Sequence, residues 1–398
     1  MNKLIAQPLT KSAISTVIVI DALDKCKDDE PASAILSILG QFVAAIPKVK
    51  FLVTGRPEPR VLNGFRLPLL AEATDVFVLH EVDPNQVNND IRIFFKHNLS
   101  ELKRGQHRPD GWPTEDQLDL LCERAAGLFV YAMATIRFIG QKNMNPKRQL
   151  DRLLQLSGSS AFEGKAKLRM NKTLDSLYTT ILQEAFCGND PEHNQMVRSV
   201  LGAVILVTNP LSPSAIATLL GIEIDDASPL LSSVHLLLVL QEDPDCPVQP
   251  FHKSFPDFIL DSTWCDNPRF CINPSNQHTE LLVSCLMLMN QRLEQNMCRL
   301  PDGVTNSEVA DLKERSDEYI DQPLQYACRL WHKHLVNPTP AQVLKITPII
   351  HQFLFWLEAL SVLGTVREAV EALGVAAKWL NVWCISLVGI SNTYLGCI

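Results

Sequence analysis

A chain of 398 residues, 46% hydrophobic and 20% charged, has the composition of a globular protein with room for roughly two to four domains. Its formal charge of −8 argues against a nucleic-acid binder, which needs a basic face to neutralise phosphates. Eleven cysteines without a CxxC pair disfavour a disulfide framework or a zinc module and fit a reducing, cytoplasmic setting.

No secretory leader is expected, because Pro8, Thr10, Lys11 and Ser12 interrupt any apolar core. Val17-Ile18-Val19-Ile20 is a continuous β-branched run, the pattern of a strand buried on both faces of a parallel sheet. It ends on Asp21-Ala22-Leu23-Asp24, at the sheet edge where ligands bind in such folds. Asp21 reads either as a metal-holding carboxylate or as part of a solvated acidic turn after a core strand. The 31–46 stretch sets Ile35, Leu36, Ile38, Leu39, Phe42, Val43 and Ile46 at helical spacing and stops at Pro47. A second apolar strand over 49–54 runs into Gly55-Arg56-Pro57. Strand, crossover helix and strand predict a right-handed βαβ unit with Asp21 and Arg56 leaving the same edge. A carboxylate that holds metal and a guanidinium that meets a terminal phosphate would suit phosphate chemistry.

The remainder reads as helical. Asp83-Pro84-Asn85-Gln86 opens a helix with Val87, Ile91, Phe94 and Phe95 on one face, and 103–113 is a polar linker. Thr114-Glu115-Asp116-Gln117 is a capping box leading into Leu118, Leu121 and Cys122, and 157–164 is a second linker. Residues 165–270 have the pattern of a winged helix. Leu174, Leu177, Ile181 and Leu182 mark one helix, and 197–207 a strongly apolar one. Ser212-Pro213 starts a short helix, 230–234 another, and 236–241 with 248–251 form a wing around Asp243-Pro244-Asp245. The expected recognition helix, Asp225-Asp226-Ala227-Ser228-Pro229, is acidic and would repel phosphates, so no nucleic-acid partner is expected. Helices follow over about 275–298, 307–320, 322–335, 340–363 and 365–380, with Trp331, Phe353, Phe355 and Trp356 as core. The charge-free tail 379–398 is long enough for a membrane span, but Asn381, Ser386, Ser391, Asn392 and Thr393 dilute it, and no membrane contact is expected.

The segments VIVIDALDKC and KFLVTGRPEPR strongly resemble the Walker B and sensor 1 segments of NACHT-type STAND NTPases, above all their fungal, nephrocystin-like branch. The resemblance continues through VFVLHEVDPNQVNNDIRIFF, GLFVYA and PFHKSFPDFI to about Leu380. It implies an α/β partial P-loop NTPase domain followed by mainly α domains including a winged helix. The implied divisions are 1–98, the C-terminal half of a NACHT domain; 99–158, a small helical domain; 165–270, the winged helix; and 271–398, a helical region with an atypical tail. By the same resemblance, Asp21 and Asp24 attend Mg, Arg56 holds the sensor position, and His252 touches the β-phosphate of ADP, so ATP/ADP with Mg is the implied cofactor. His252 has a second reading, a residue at a helix start with Ser254 as the N-cap, with Phe251, Phe255 and Phe258 anchoring that helix in either case. GLFVYA corresponds to a GLP-like motif, with Phe129 where many relatives carry proline, or is an ordinary buried helix.

Two departures bear on activity. No segment reads GxxxxGK followed by Ser or Thr, so the chain is expected to be truncated before Walker B. Lys25 stands where the family commonly has an acidic residue, and a protonated amine cannot polarise the attacking water. In the family's sheet Val76-Phe77-Val78-Leu79-His80 would be the last strand, here with no central neighbour to pair with. The expected function is a fragment of a NACHT-type signalling switch of the fungal incompatibility or defence kind, with little or no hydrolysis of its own. The alternative is a non-enzymatic interaction or scaffold fragment that modulates full-length relatives. Either way the expected partners are proteins.

Overall fold

The computed structural model describes residues 16–23, 26, 29–43, 49–56, 59–103, 111–141, 144–156, 169–186, 190–241, 243, 245–301, 303–335 and 352–379. Asp24, Lys25, residues 104–110 of the expected 103–113 linker, the whole of the expected 157–164 linker, residues 340–351 of the expected 340–363 helix and residues 380–398 of the tail lie outside them. What is described is mostly helical with a small parallel sheet, and it divides into two compact units, 1–83 and 84–398.

In the first unit, strands β1 (Thr16–Ile20) and β2 (Val49–Val53) flank helix α1 (Asp29–Val43) and pair in parallel, Thr16 opposite Val49 and Ile20 opposite Val53. Helices α2 (Pro59–Phe65) and α3 (Pro68–Ala71) follow. Ile20, Phe51 and Val53 pack on a small core of Leu23, Ala32, Leu36, Leu39, Val61 and Leu70. The opposite face is open, with Val17 63% and Val19 60% exposed. Burial of β1 on both faces is therefore not what the chain adopts. Side chains alternate across a strand, so helices on one side bury only alternate members of an all-apolar run. Val76-Phe77-Val78-Leu79-His80 is likewise not a strand. Residues 76–78 join no ladder, and Leu79–Glu81 closes a 3-10 turn in which Glu81 N donates to Val78 O at 3.1 Å. The Val76, Phe77 and Leu79 side chains are exposed.

The second unit begins with α4 (Pro84–Lys103), α5 (Glu115–Ala125), α6 (Phe129–Ile139), α7 (Pro146–Leu156) and α8 (Arg169–Ala185). Ile91, Phe95 and Leu99, four residues apart, turn α4 into the core of this unit, so the division falls after Asp83. The Thr114 capping box forms as its residues dictate, with Gln117 N donating to Thr114 Oγ1 at 3.2 Å and Thr114 N to Gln117 Oε1 at 3.1 Å. Next come α9 (Pro191–Leu206), α10 (Pro213–Leu220), α11 (Ile224–Ser233), the two-residue strands β3 (Leu238–Val239) and β4 (Gln249–Pro250), and α12 (Ser254–Leu260). Ser212 caps α10 by accepting from Ala215 N at 3.2 Å. The acidic segment 225–229 and the apolar segment 230–233 form the single helix α11, and β3 and β4 pair antiparallel.

The C-terminal helices are α13 (Pro274–Arg292), α14 (Leu312–Tyr319), α15 (Gln322–Leu330), α16 (Phe353–Val362) and α17 over 366–379. Three of them, α13, α14 and α15, are shorter than the periodicity predicts. Leu293 is extended and ends α13, the expected 307–320 helix is a 3-10 turn at Asn306–Glu308 before α14, and α15 tightens into 3-10 geometry at Trp331–His334. Trp356 is buried, whereas Phe353 remains 37% exposed. Arg329 clasps Glu368 with two 2.8 Å bonds that tie α15 to α17. Cys285 and Cys328 lie inside this core, where burial pushes both thiols up, Cys328 to about 12.

Candidate functional site

At the C-terminal edge of β1 the chain turns sharply, with Ala22 in the left-handed region at φ 55°. Thr54 N donates to Ile20 O at 2.9 Å and carries the ladder one residue beyond β2. The Thr54 hydroxyl then donates to Asp21 Oδ1 and accepts from Ala22 N at 2.9 Å, while Leu23 N donates to Thr54 O at 2.9 Å. Asp21 is exposed, and Arg56 is exposed two residues past Thr54. The structure thus brings Asp21 and Arg56 to the ends of adjacent strands. Thr54 went unnoticed in the sequence, although the register that sets Ile20 opposite Val53 sets Asp21 opposite Thr54.

A carboxylate oriented by a threonine fits one ligand of a divalent cation, and an exposed arginine fits a phosphate oxygen. A phosphate cradle also needs converging backbone N–H groups. Here the Ala22 and Leu23 amides are directed at Thr54. Among the described residues no group of three or more His, Cys, Asp or Glu converges to hold a metal. The described residues of this unit therefore place a carboxylate and a guanidinium at one sheet edge, and the two described amides of the turn, those of Ala22 and Leu23, are taken up by Thr54.

His252 stands in the second unit, between β4 and α12, and is exposed. Ser254 N donates to His252 Nδ1 at 3.1 Å, and Ser254 Oγ lies 2.7 Å from the same nitrogen. Ser254 is the first residue of α12 rather than its N-cap. The cap position belongs to Lys253, which makes no side-chain cap bond. The imidazole accepts the early helical amide because it sits two residues back with a bare nitrogen. Behind Ser254, the Tyr178 hydroxyl of α8 lies 2.7 Å from Ser254 Oγ, and burial pushes this phenol up to about 12. The Tyr178 ring sits 5.5 Å from both Phe255 and Phe258, which are buried. Phe251 is only half-buried, its ring covered by the Arg137 guanidinium at 4.1 Å. Arg137 also donates to His235 O at 2.6 Å and Leu238 O at 3.1 Å, which fastens α6 to the strand pair.

Tyr178 and Arg137 carry no sequence signal, since they lie 76 residues from Ser254 and 98 from His235. In GLFVYA, Tyr131 and Ala132 are buried while Phe129 is exposed and meets Phe94 edge-on at 6.0 Å. Near Tyr178, the Asp175 carboxyl is pushed up to about 6 by burial and then by Asp261.

No family model matches the chain, and no solved structure matches it. It is 25% identical, over an alignment of 397 positions that covers 90% of the chain, to the vegetative incompatibility protein HET-E-1 of Podospora anserina. It spans 26% of that protein, about a quarter of the relative's length. At this identity the similarity supports a distant relationship to a NACHT-type fungal signalling protein.

Proposed function

We propose that the chain is a module of a NACHT-type signal-transduction protein, related to incompatibility or defence switches, with little or no nucleotide hydrolysis of its own. The observation that carries this is the parallel β1–β2 pair that ends in Asp21 and Arg56 on one edge, within a chain similar to an incompatibility protein over 90% of its length. In this reading the two strand ends correspond to a Walker B and sensor 1 pair, and the helices and strand pair around His252 to a winged helix. Asp21 would hold Mg, Arg56 would meet the terminal phosphate, and His252 would meet ADP. The switch is differential affinity of nucleotide for two arrangements. Catalysis is discounted because no segment of the sequence reads GxxxxGK followed by Ser or Thr, and because Lys25 stands where the family commonly has an acid. Isothermal calorimetry on the whole chain is the test. Weak Mg·ATP binding and negligible turnover are expected. Tight binding, with turnover abolished by Asp21→Asn, overturns the proposal.

The open sheet face at Val17, Val19 and Leu52 favours a second reading, a non-enzymatic module that modulates full-length relatives in the cytoplasm. Co-sedimentation with a full-length relative should then be indifferent to added ATP, and dependence on ATP removes this reading.

A further inference from the structure

Helices α9 and α13 approach closely where Gly202 lies against Gln277, and Gln277 Nε2 donates to Ser199 O at 3.3 Å. The same two helices and the end of α10 line a groove of about 550 Å³. Glu192, Met196 and Ser199 recur at helical spacing, so one face of α9 makes one wall. Glu280 and Val283, three residues apart, put one face of α13 on the other. Leu220 and Ile222 complete it. They flank Gly221, whose left-handed backbone at φ 68° ends α10 and lets Ile222 N donate back to Ala217 O at 3.0 Å.

Met196, Leu220, Ile222 and Val283 are half-buried, whereas Glu192 and Glu280 are exposed, which gives an apolar floor under an acidic rim. Ser199 Oγ donates to Glu280 Oε2 at 3.2 Å and orients that carboxylate. Among the described lining residues there is no lysine, arginine or histidine. His193, next to Glu192, packs edge-on against Phe186 at 6.1 Å. Exposed Glu223, Asp225 and Asp226 follow Ile222 along the chain and add to the negative field.

We infer that this groove docks a basic amphipathic segment of a partner protein, with an apolar side chain on the floor and a lysine or arginine reaching Glu192 or Glu280. An acidic rim repels phosphates, which sets nucleic acids and anionic membranes aside. Covering half-buried apolar side chains supplies affinity, while exposed charge pairs add modestly to it and select which partner approaches. Docking here is independent of nucleotide at Asp21 and Arg56, so either reading can fail without the other.

The test is fluorescence anisotropy on the whole chain with three labelled peptides of equal length. One sets leucine among lysines at helical spacing, one sets leucine among glutamates in the same pattern, and one replaces leucine by serine among lysines. Saturable binding of the leucine–lysine peptide alone is expected. Glu192→Gln with Glu280→Gln should weaken it about tenfold at low salt, the effect of two exposed charge pairs, and the new amide keeps an acceptor for Ser199. Asp317→Asn with Glu318→Gln makes the same change in charge on α14, outside the groove, and should leave affinity within about twofold of wild type. Equal losses in both double variants would mean that net charge alone attracts the peptide, and they overturn the docking site. So does a leucine–glutamate or serine–lysine peptide that binds as tightly as the leucine–lysine one, and so does the absence of binding.

Discussion

Thr54 does two jobs with one hydroxyl, since it holds the Asp21 carboxylate and accepts the amide of Ala22, whose left-handed backbone is costly for a residue with a Cβ. Thr54→Val keeps the β-branched shape and loses both bonds. It should weaken the first unit by about 1–2 kcal/mol in chemical denaturation, with Thr54→Ser recovering most of the loss. Equal stability of Thr54→Val and wild type would show that the turn holds by itself. Asp175 gives a pH-dependent counterpart. Its carboxyl titrates near 6 in the folded chain against an ordinary value of 3.8. Between those values the folded state retains a proton that the unfolded state has released. The stability from this group is therefore complete below the ordinary value and is lost as pH rises through about 6. Asp175→Asn should melt higher than wild type at pH 7.5 and no higher at pH 4. Asp21 and Arg56 were legible because strand ends are legible, whereas Tyr178 reaches His252 only through the fold.

Helix starts in this chain are written locally and were read correctly where a cap residue meets a proline or a capping box, as at Ser212-Pro213 and Thr114 to Gln117. Helix ends are a different matter. Apolar spacing continues past Arg292 and Leu330, yet the backbone there turns extended or 3-10, because tertiary contacts rather than periodicity decide where a helix stops. Register across helices is also invisible in a single sequence. Gly202, in the middle of α9, is a poor helix former placed where α9 approaches α13 closely. A Cβ there would collide with Gln277, a buried residue that donates to Ser199 O at 3.3 Å. Gly202→Ala should therefore destabilise the second unit by about 1–3 kcal/mol despite its better helix propensity. A stabilised Gly202→Ala, measured by thermal unfolding, would mean that Gln277 moves aside freely.

The two units differ most in how much apolar surface each encloses. The first has a small core beneath a two-stranded sheet with one face open. The second has one continuous core from Ile91 to Ala372. Local stability follows enclosed apolar surface, so native-state hydrogen exchange should be fast at 16–20 and 49–53 and slow at 197–204 and 255–259. Comparable protection in both regions would mean that the small sheet is sheltered by more than its described neighbours. Composition predicts roughly two to four domains and gives no boundary, and the division between compact units after Asp83 was not legible. It depends on Ile91, Phe95 and Leu99 facing the second core, a direction that the pattern of α4 leaves undecided.

The buried thiols of Cys285 and Cys328 give that contrast a clock. Only the thiolate attacks a disulfide reagent, and burial holds both groups far from ionising. Each can react only while its surroundings are open, so the rate at which Ellman's reagent consumes them reports how often this core breathes.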